Sequence, residues 1–224
     1  MASEESKFIN MDDVKDFGKD LAIIIIIVFF IRFFFAMPFQ ISGQSMYSSY
    51  YDREFIIVDR LSYRIWKPDR GDVVVFKPHV SKTKEFFLKR IIAIGWDILK
   101  IEWGKVFLKK TWEADFTELN EPYLNEDNDG FTFVGNKNTW KSVFEIPEWE
   151  YFVMWDNRNH SSDSRTCFSN CSLVSNTITK KDITGKIFVD FGYFSFKTFS
   201  FLHPNLWIET HPRFFSSPAT YDYE

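Results

Sequence analysis

The sequence predicts a mainly β domain with largely antiparallel strands, preceded by one apolar helical segment. One apolar run, LAIIIIIVFFIRFFFAM at residues 21–37, contains a single charge, Arg32. After residue 41 the chain consists of short β-branched and aromatic runs separated by Gly, Asp, Pro and Asn, which is typical of strands and turns. No long stretch there shows the 3.6-residue period of an amphipathic helix.

The apolar run at residues 21–37 predicts a transmembrane anchor. Such a helix would span roughly 25 Å, slightly less than a ~30 Å hydrocarbon core, and Arg32 near its end can snorkel to the interface. A cleaved signal peptide would end in small residues, whereas this run ends in AMPF at 36–39. A helix buried in a domain would usually have a polar face, and residues 23–28 have none.

Basic residues on the two sides of the run predict its orientation. Lys7, Lys15 and Lys19 precede it, and Arg53 is the one basic residue between positions 38 and 57. Because positive charge is enriched on the cytoplasmic side, we expect the N-terminus inside and the large domain outside.

We therefore expect three parts in the 224-residue chain. They are an N-terminal cytoplasmic segment at 1–20, the anchor at 21–40, and an extracytoplasmic domain at 41–224 in which 111–150 is a possible inserted lobe. The candidate strands lie at 54–59, 71–77, 86–94, 98–110, 151–155 and 185–196. The Trp103-Gly104 pair predicts a hairpin turn inside the fourth of these.

Composition narrows the function. The net charge is -4 and no basic stripe is visible, which argues against a nucleic-acid partner. Cys167 and Cys171 with His160 lack a fourth ligand and the usual zinc spacing, so no metal is implied; a local disulfide and two free thiols stay open. No glycine-rich phosphate loop is present, and no cofactor is implied.

Two residues stand in unusual surroundings. Ser45 in ISGQSM follows Gly43, which permits a turn presenting backbone N–H groups, although a Gly-x-Ser in a loop is usually only a turn. Lys89 lies in the apolar run FFLKRIIAI next to Arg90, and both faces of that run are apolar. A desolvated lysine has a depressed pKa and can act as a base. The alternative is a snorkelling or salt-bridged lysine on an edge strand.

Four ordered segments carry a resemblance to one family: ISGQSM, RGDVVVFK, FFLKRIIAIGWD and IPEWEYFVMWDNRNHSSDSR. They resemble the nucleophile box, the following strand box, the lysine box and the last box of bacterial type I signal peptidases, the membrane-anchored Ser/Lys proteases. NEPYL at 120–124 matches a recurrent family segment, and the resemblance extends from the anchor to Phe191. It implies a signal-peptidase-type antiparallel β catalytic domain.

The resemblance also implies roles for individual residues. Ser45 is the expected nucleophile, Lys89 the expected neutral base, and the Ser45 backbone N–H the expected oxyanion donor. Some relatives add a serine hydroxyl two positions before the nucleophile. This chain has Gly43 there, so that donor is missing or replaced by Ser42.

The last box supplies the expected supporting residues. Ser161 is expected beside the lysine ammonium, and Asp156 belongs to the same supporting set. Asp163 and Arg165 are expected to form an ion pair that holds their loop against the site, which is also what a plain structural salt bridge would do.

Several positions depart from the family pattern. Ser48-Ser49 replaces a usual Pro-Thr, residues 94–97 read IGWD where the family has LPGD, and Trp155 replaces the glycine of MGDNR. A tryptophan at position 155 could crowd the substrate groove, shift the lysine, or point elsewhere.

By resemblance the substrates are secreted preproteins, cut after small residues at the −3 and −1 positions, and the other partner is the lipid bilayer. The assembly state is not determined by the sequence. The alternative function is a membrane-tethered relative that binds exported chains without cleaving them. Trp155 favours the alternative, whereas Ser45 with Lys89 favours the protease.

Overall fold

The computed structural model describes residues 11–77, 85–134, 141–159, 162–169, 175–195, 200–201 and 213–214. The helices are α1 (Met11–Phe34) and α2 (Ser62–Ile65), and short 3-10 turns occupy Ser164–Ser169. The strands are β1 (Ala36–Gln40), β2 (Phe55–Asp59), β3 (Val73–Phe76), β4 (Phe87–Ile94), β5 (Ile98–Glu102), β6 (Lys105–Lys109), β7 (Thr117–Glu118), β8 (Lys141–Glu145), β9 (Glu150–Met154), β10 (Ile178–Thr179), β11 (Ile183–Asp190), β12 (Phe194–Ser195), β13 (Ser200–Phe201) and β14 (Arg213–Phe214).

The N-terminal helix α1 includes most of the apolar run. Its side chains from Leu21 to Phe29 are exposed, and Ile26 and Phe29 are each 66% exposed. Over the residues that the structure describes, we find no helix with the length and apolarity that a membrane crossing requires.

The larger sheet contains the strand that carries Lys89. Within the described residues its order is β1-β2-β11-β3-β4-β9-β10, with β14 paired to β11, and the pairings are antiparallel. Lys89 on β4 is opposite Val74 on β3, and Arg90 is opposite Met154 on β9. The prediction of a mainly antiparallel β domain is therefore confirmed, and β4 lies between two neighbours with apolar side chains on both faces.

A second sheet, ordered β7-β6-β5-β8, packs on the first. Trp103 and Gly104 form the β5–β6 turn with φ values of 55° and 77°, so the predicted hairpin is confirmed. Both edge strands of this sheet, β7 and β8, come from the polar segment at 111–150. That segment therefore contributes strands to an existing hairpin.

The apolar core immobilises the loop that carries Ser45. Met46 and Tyr50 are each 1% exposed and pack in one cluster with Ile56, Val58 and residues of β3 and β11. Burying two large side chains so near a half-exposed serine favours one loop conformation, because displacing either would cost several kcal/mol, on the order of a large-to-small core substitution.

Candidate active site

Ser45 lies in the loop between β1 and β2 and is half-buried. The loop is held from the other side by the turn after β9. The Asn157 backbone N–H donates to the Ser45 carbonyl at 3.0 Å, and the Asn157 side chain donates to the Gln44 carbonyl, also at 3.0 Å. These bonds connect the first and last of the ordered segments, which are far apart in sequence.

Backbone donors near Ser45 are partly in use. The Gly43 N–H donates to Asp52 Oδ1 at 2.7 Å, and Gly43 adopts φ of 98°, a left-handed conformation that favours glycine. The Ser45 N–H makes no hydrogen bond to any described residue, so it is available to an oxyanion. Ser42 is exposed, and both Ser42 and Gly43 line the cleft described below.

Lys89 is 1% exposed, so its side chain is buried in the interior. Its Nζ donates to the Leu88 carbonyl at 3.2 Å and lies 3.9 Å from the centre of the Trp155 ring and 4.8 Å from that of Phe87. Burial lowers the pKa of Lys89 well below its usual value, and the charge of Asp163 opposes this in part. Ser45 and Lys89 are both described by the structure, and no hydrogen bond joins Ser45 Oγ to Lys89 Nζ.

Ser45 and Lys89 line the same cleft, which has a volume of about 440 Å³. One wall is residues 39–45, from the end of β1 into the serine loop, and the other is residues 85–89, leading into β4. Trp155 lines the cleft next to the lysine, and Ile56 and Val75 also contribute to the lining. Because β1 is the edge strand of the larger sheet, its outer backbone groups are not used by a neighbouring described strand.

Trp155 does not point away from the site. Its ring covers Lys89 Nζ, and its indole Nε1 is buried without a hydrogen-bond acceptor among the described residues. Its backbone is fixed on both sides, since its N–H donates to Asp163 Oδ2 at 3.2 Å and its carbonyl accepts from Arg158 Nε at 2.7 Å. The large side chain at the family's glycine position is thus part of the lysine's immediate surroundings.

Asp163 and Arg165 form a buried, bidentate ion pair. Arg165 Nε and Nη2 donate to the two carboxylate oxygens at 2.9 and 2.8 Å, and Asp163 is 0% exposed. Arg165 also donates to the carbonyls of Phe133 and Arg158. The pair holds the loop after β9 against the lysine side of the site. Ser161, the other expected neighbour of the lysine, lies outside the described residues.

Asp156 belongs to a buried cluster that the sequence analysis did not assemble. Arg90 donates to Asp156 through Nε at 2.9 Å and Nη2 at 2.7 Å, and Ser49 Oγ donates to the same carboxylate at 2.5 Å. Arg90 also donates to the Gly71 carbonyl at 3.0 Å. One feature of the sequence indicated a buried charge here. Lys89 and Arg90 are adjacent in a run that is apolar on both faces, so the two charged groups cannot both be solvated.

Arg158 connects the site to the segment containing NEPYL. It donates to Glu121 through Nη2 at 2.5 Å and to Thr132 Oγ1 at 3.0 Å, and Tyr123 Oη lies 3.3 Å from Nη2. Because Arg158 also bonds the Trp155 carbonyl, the 120–124 segment supports the backbone beside the lysine.

Metal and cysteine chemistry can be placed only in part. In the described ranges no group of three or more His, Cys, Asp or Glu side chains could hold a metal ion. Cys167 is disulfide-bonded. Cys171, the chain's other cysteine, and His160 lie outside the described residues.

The comparisons with known proteins identify the chain as a peptidase. Residues 14–191 match the family described as signal peptidase, peptidase S26. This match covers more than half of the chain, so the protein belongs to the peptidase S26 family of signal peptidases. The resemblance to bacterial type I signal peptidases is thereby confirmed.

Named relatives agree with this assignment. The chain is 30% identical over 190 residues to "Signal peptidase I" of Bacillus amyloliquefaciens, covering 83% of this chain and 91% of that protein. It is 35% identical over 147 residues to "Signal peptidase I U" of Bacillus subtilis strain 168, covering 65% and 74%. A crystal structure of a signal peptidase I from Enterococcus faecalis V583 aligns with 21% identity over 55% of this chain and 97% of that one. The TM-score of this alignment is 0.38.

Proposed function

We propose that this protein is a signal peptidase I, a serine endopeptidase that removes signal peptides from secreted preproteins. Ser45 is the nucleophile and Lys89 is the general base. One observation carries the residue assignment: in a chain of this family, a fully buried lysine lines the same cleft as a serine whose backbone N–H bonds to no described residue.

The chemistry follows from the two side chains. Ser45 Oγ attacks the scissile carbonyl carbon while its proton passes to Lys89 Nζ, whose pKa is lowered by burial, which favours the neutral amine that a base requires. The Ser45 N–H stabilises the oxyanion. The intermediate collapses when the leaving amine takes the proton from Lys89, leaving an acyl-enzyme. Water then attacks the ester, with Lys89 again accepting and returning the proton.

The cleft suits an extended peptide. The substrate backbone pairs with the outer edge of β1 on one wall and with residues 85–89 on the other, as in strand addition to a sheet edge. Phe39, Ile41 and Phe87 make the lining apolar. The preference for small residues at the −3 and −1 positions is what the family resemblance implies, and the apolar lining is compatible with small apolar side chains.

The proposed location is the cell membrane, with 21–40 as a single anchor, 1–20 in the cytoplasm and 41–224 outside. The exposed apolar side chains of α1 support this placement. The Arg60 N–H donates to the Phe35 carbonyl at 3.0 Å, so the end of the apolar segment lies beside α2. There Ile65 and Trp66 are 65% and 69% exposed, and tryptophan favours the membrane interface.

The test is cleavage of a preprotein by the full chain in lipid vesicles. Wild type is compared with Ser45→Ala and Lys89→Met, and mass spectrometry locates the cut. We expect cleavage after small residues, with kcat/KM reduced at least about a thousandfold in each variant because nucleophile and base act as a unit. Ser142→Ala and Lys100→Met, on the smaller sheet, are matched controls and retain activity within about twofold, as is usual for substitutions outside a site.

The result that would overturn the proposal is a folded wild type that binds preproteins and cuts none of them. That outcome would instead support the non-cleaving membrane-tethered domain. Full activity in Lys89→Met would be consistent with a peptidase but would show that Lys89 is not its base.

A further inference from the structure

The surroundings of the Lys89 nitrogen are aromatic. An ammonium has three N–H donors, and among the described residues Lys89 Nζ donates one hydrogen bond, to the Leu88 carbonyl at 3.2 Å. Two ring faces lie within cation–π distance, Trp155 at 3.9 Å and Phe87 at 4.8 Å. Trp155 is the nearer, and it stands where the family pattern has a glycine without a side chain.

An aromatic face discriminates between the two protonation states of a lysine. Its negative quadrupole attracts the ammonium and has little effect on the neutral amine, and the attraction increases when water is excluded. Lys89 is neutral before the reaction and positively charged once it holds the serine proton. The Trp155 contact therefore strengthens as the proton moves, which is the condition for lowering a reaction barrier.

We propose that Trp155 is a positioning residue for Lys89: its indole face orients Nζ toward the cleft and stabilises the ammonium formed when Lys89 takes the proton of Ser45. This inference rests on the proposed function and deepens it. It gives the tryptophan at position 155 a positioning role in this chain, whereas the sequence left open whether it crowds the groove, shifts the lysine or points elsewhere.

The ring is well placed for this role because the backbone of Trp155 is held at both of its polar atoms. Asp163 accepts from its N–H and Arg158 donates to its carbonyl. Both partners are buried and bonded further, to Arg165 and Glu121 respectively. Two charged networks thus fix the tryptophan, and a support of this kind is what keeps a reacting group in productive geometry.

The charged groups near Lys89 stay constant when Trp155 is replaced. Asp163, which raises the pKa of Lys89, lies after β9 and is paired with Arg165. Glu85, before β4, lines the cleft, and Arg90 on β4 is paired with Asp156. None of these is altered when Trp155 is replaced.

Substitutions at 155 separate the aromatic contribution from simple burial. Leucine keeps the site dry but removes the quadrupole, so the pKa of Lys89 falls. Glycine admits water, so the pKa of Lys89 rises. Phenylalanine keeps a weaker ring face, so the pKa of Lys89 in that variant should lie between the values in wild type and in the leucine variant. If Trp155 only excludes water, leucine would behave as wild type.

The experiment is the pH dependence of kcat/KM for preprotein cleavage by the full chain in vesicles, which reports the pKa of the free enzyme's base. We expect the acid limb of Trp155→Leu to move to lower pH by roughly 0.5–1 unit, and its plateau kcat to fall up to about tenfold, because the base is weaker. Trp155→Phe shifts less, and Trp155→Gly shifts to higher pH. Trp149→Leu is the matched control, since it removes another tryptophan that covers a lysine, Lys67 at 4.2 Å, away from the site.

A readout without turnover keeps the test independent of activity. In the Ser45→Ala background, the Cε signals of 13C-labelled lysines are followed by NMR as a function of pH. The Lys89 signal is assigned by its loss in Lys89→Met, and the variants at position 155 should show the same order of Lys89 pKa values. Superimposed acid limbs for wild type and Trp155→Leu, or a Lys89 titration unchanged by leucine, would overturn the inference and leave the proposed function intact. Absence of cleavage by wild type is a failure of the proposed function, whatever the 155 variants do in the titration.

Discussion

Lys89 and Arg90 are neighbours on β4 and both side chains are buried, yet they are buried in different ways. Arg90 is paired bidentately with Asp156 and keeps its charge, as a guanidinium does in nearly any environment. Lys89 is surrounded by rings and one carbonyl, and its nearest acidic influence, Asp163, is engaged by Arg165. The same run of sequence thus contains a structural cation and a base.

At the residue scale, we expect Lys89→Met to raise the stability of the fold while it abolishes cleavage. The pKa of Lys89 is lower in the folded protein than its ordinary value of 10.5. Between these two pKa values the folded chain binds fewer protons than the unfolded chain, so stability increases with pH across that window and the penalty is complete below it. Methionine has no charge to bury, so this pH-dependent penalty disappears.

Thermal unfolding of wild type and Lys89→Met between pH 6 and 10 measures the effect. A Tm gain at the acid end that shrinks toward the alkaline end is expected, with about 2–4 °C for each kcal/mol. A gain that is constant across the range would show that packing, not the proton, is responsible. Increased stability also shows that lost cleavage is not lost folding.

At the element scale, the β5–β6 hairpin depends on a glycine. Gly104 has φ of +77°, and a Cβ built there would lie 1.8 Å from the Gly130 carbonyl oxygen. The Thr132 N–H donates to the Gly104 carbonyl at 2.8 Å. The hydroxyl of the same threonine accepts a hydrogen bond from Arg158. The hairpin tip is therefore connected to the support of the site.

We expect Gly104→Ala to destabilise the protein by about 2–4 kcal/mol, since it combines a left-handed conformation with a backbone clash. Gly130→Ala is the matched control: its φ of +75° is similar, but nothing lies within 4 Å of its Cβ position. Only the conformational cost of about 1 kcal/mol applies there. Urea unfolding gives both values, and hydrogen exchange should show the loss of protection at β5 to β8. Equal losses for the two variants would contradict the clash.

At the scale of the whole molecule, a buried acidic pair joins distant parts of the chain. Glu54 precedes β2, Asp190 ends β11, and Arg213 in β14 bonds Asp190 and lies 3.8 Å from Glu54. Arg213 also donates to the Ser49 carbonyl at 3.0 Å, beside the Asp156 cluster. Burial, and then the charge of Asp190, raise the pKa of Glu54 to about 8.

This pair predicts a pH dependence of stability that Glu54→Gln removes. Between pH 4.5 and about 8 the folded chain holds a proton on Glu54 that the unfolded chain releases, so this group lowers stability as pH rises through that window. Above about pH 8 the free energy of unfolding of the variant should exceed that of wild type by on the order of 5 kcal/mol, and near pH 4.5 the two should be equal. Chemical unfolding at several pH values checks this, with exposed Glu145→Gln as control. Equal pH slopes in wild type and Glu54→Gln would contradict the raised pKa.

Some features could be predicted because their signals are local. Strand composition indicated the antiparallel β domain, and Trp103-Gly104 indicated its hairpin. The ordered segments around Ser45 and Lys89 indicated the family. The Arg90–Asp156–Ser49 cluster could not be assembled in this way, because period-two patterning in a run apolar on both faces does not say which partner each cation meets.

What the sequence determined by itself is the family and the residues available for chemistry, since order and spacing of the segments survive without coordinates. What only the tertiary structure decided is where Trp155 lies. A side chain's environment depends on which loops meet across the sheet, and here Asp163 and Arg158 hold Trp155 over Lys89. The physical reason is that burial and charge pairing are set by contacts between residues distant in the chain, which no local pattern records.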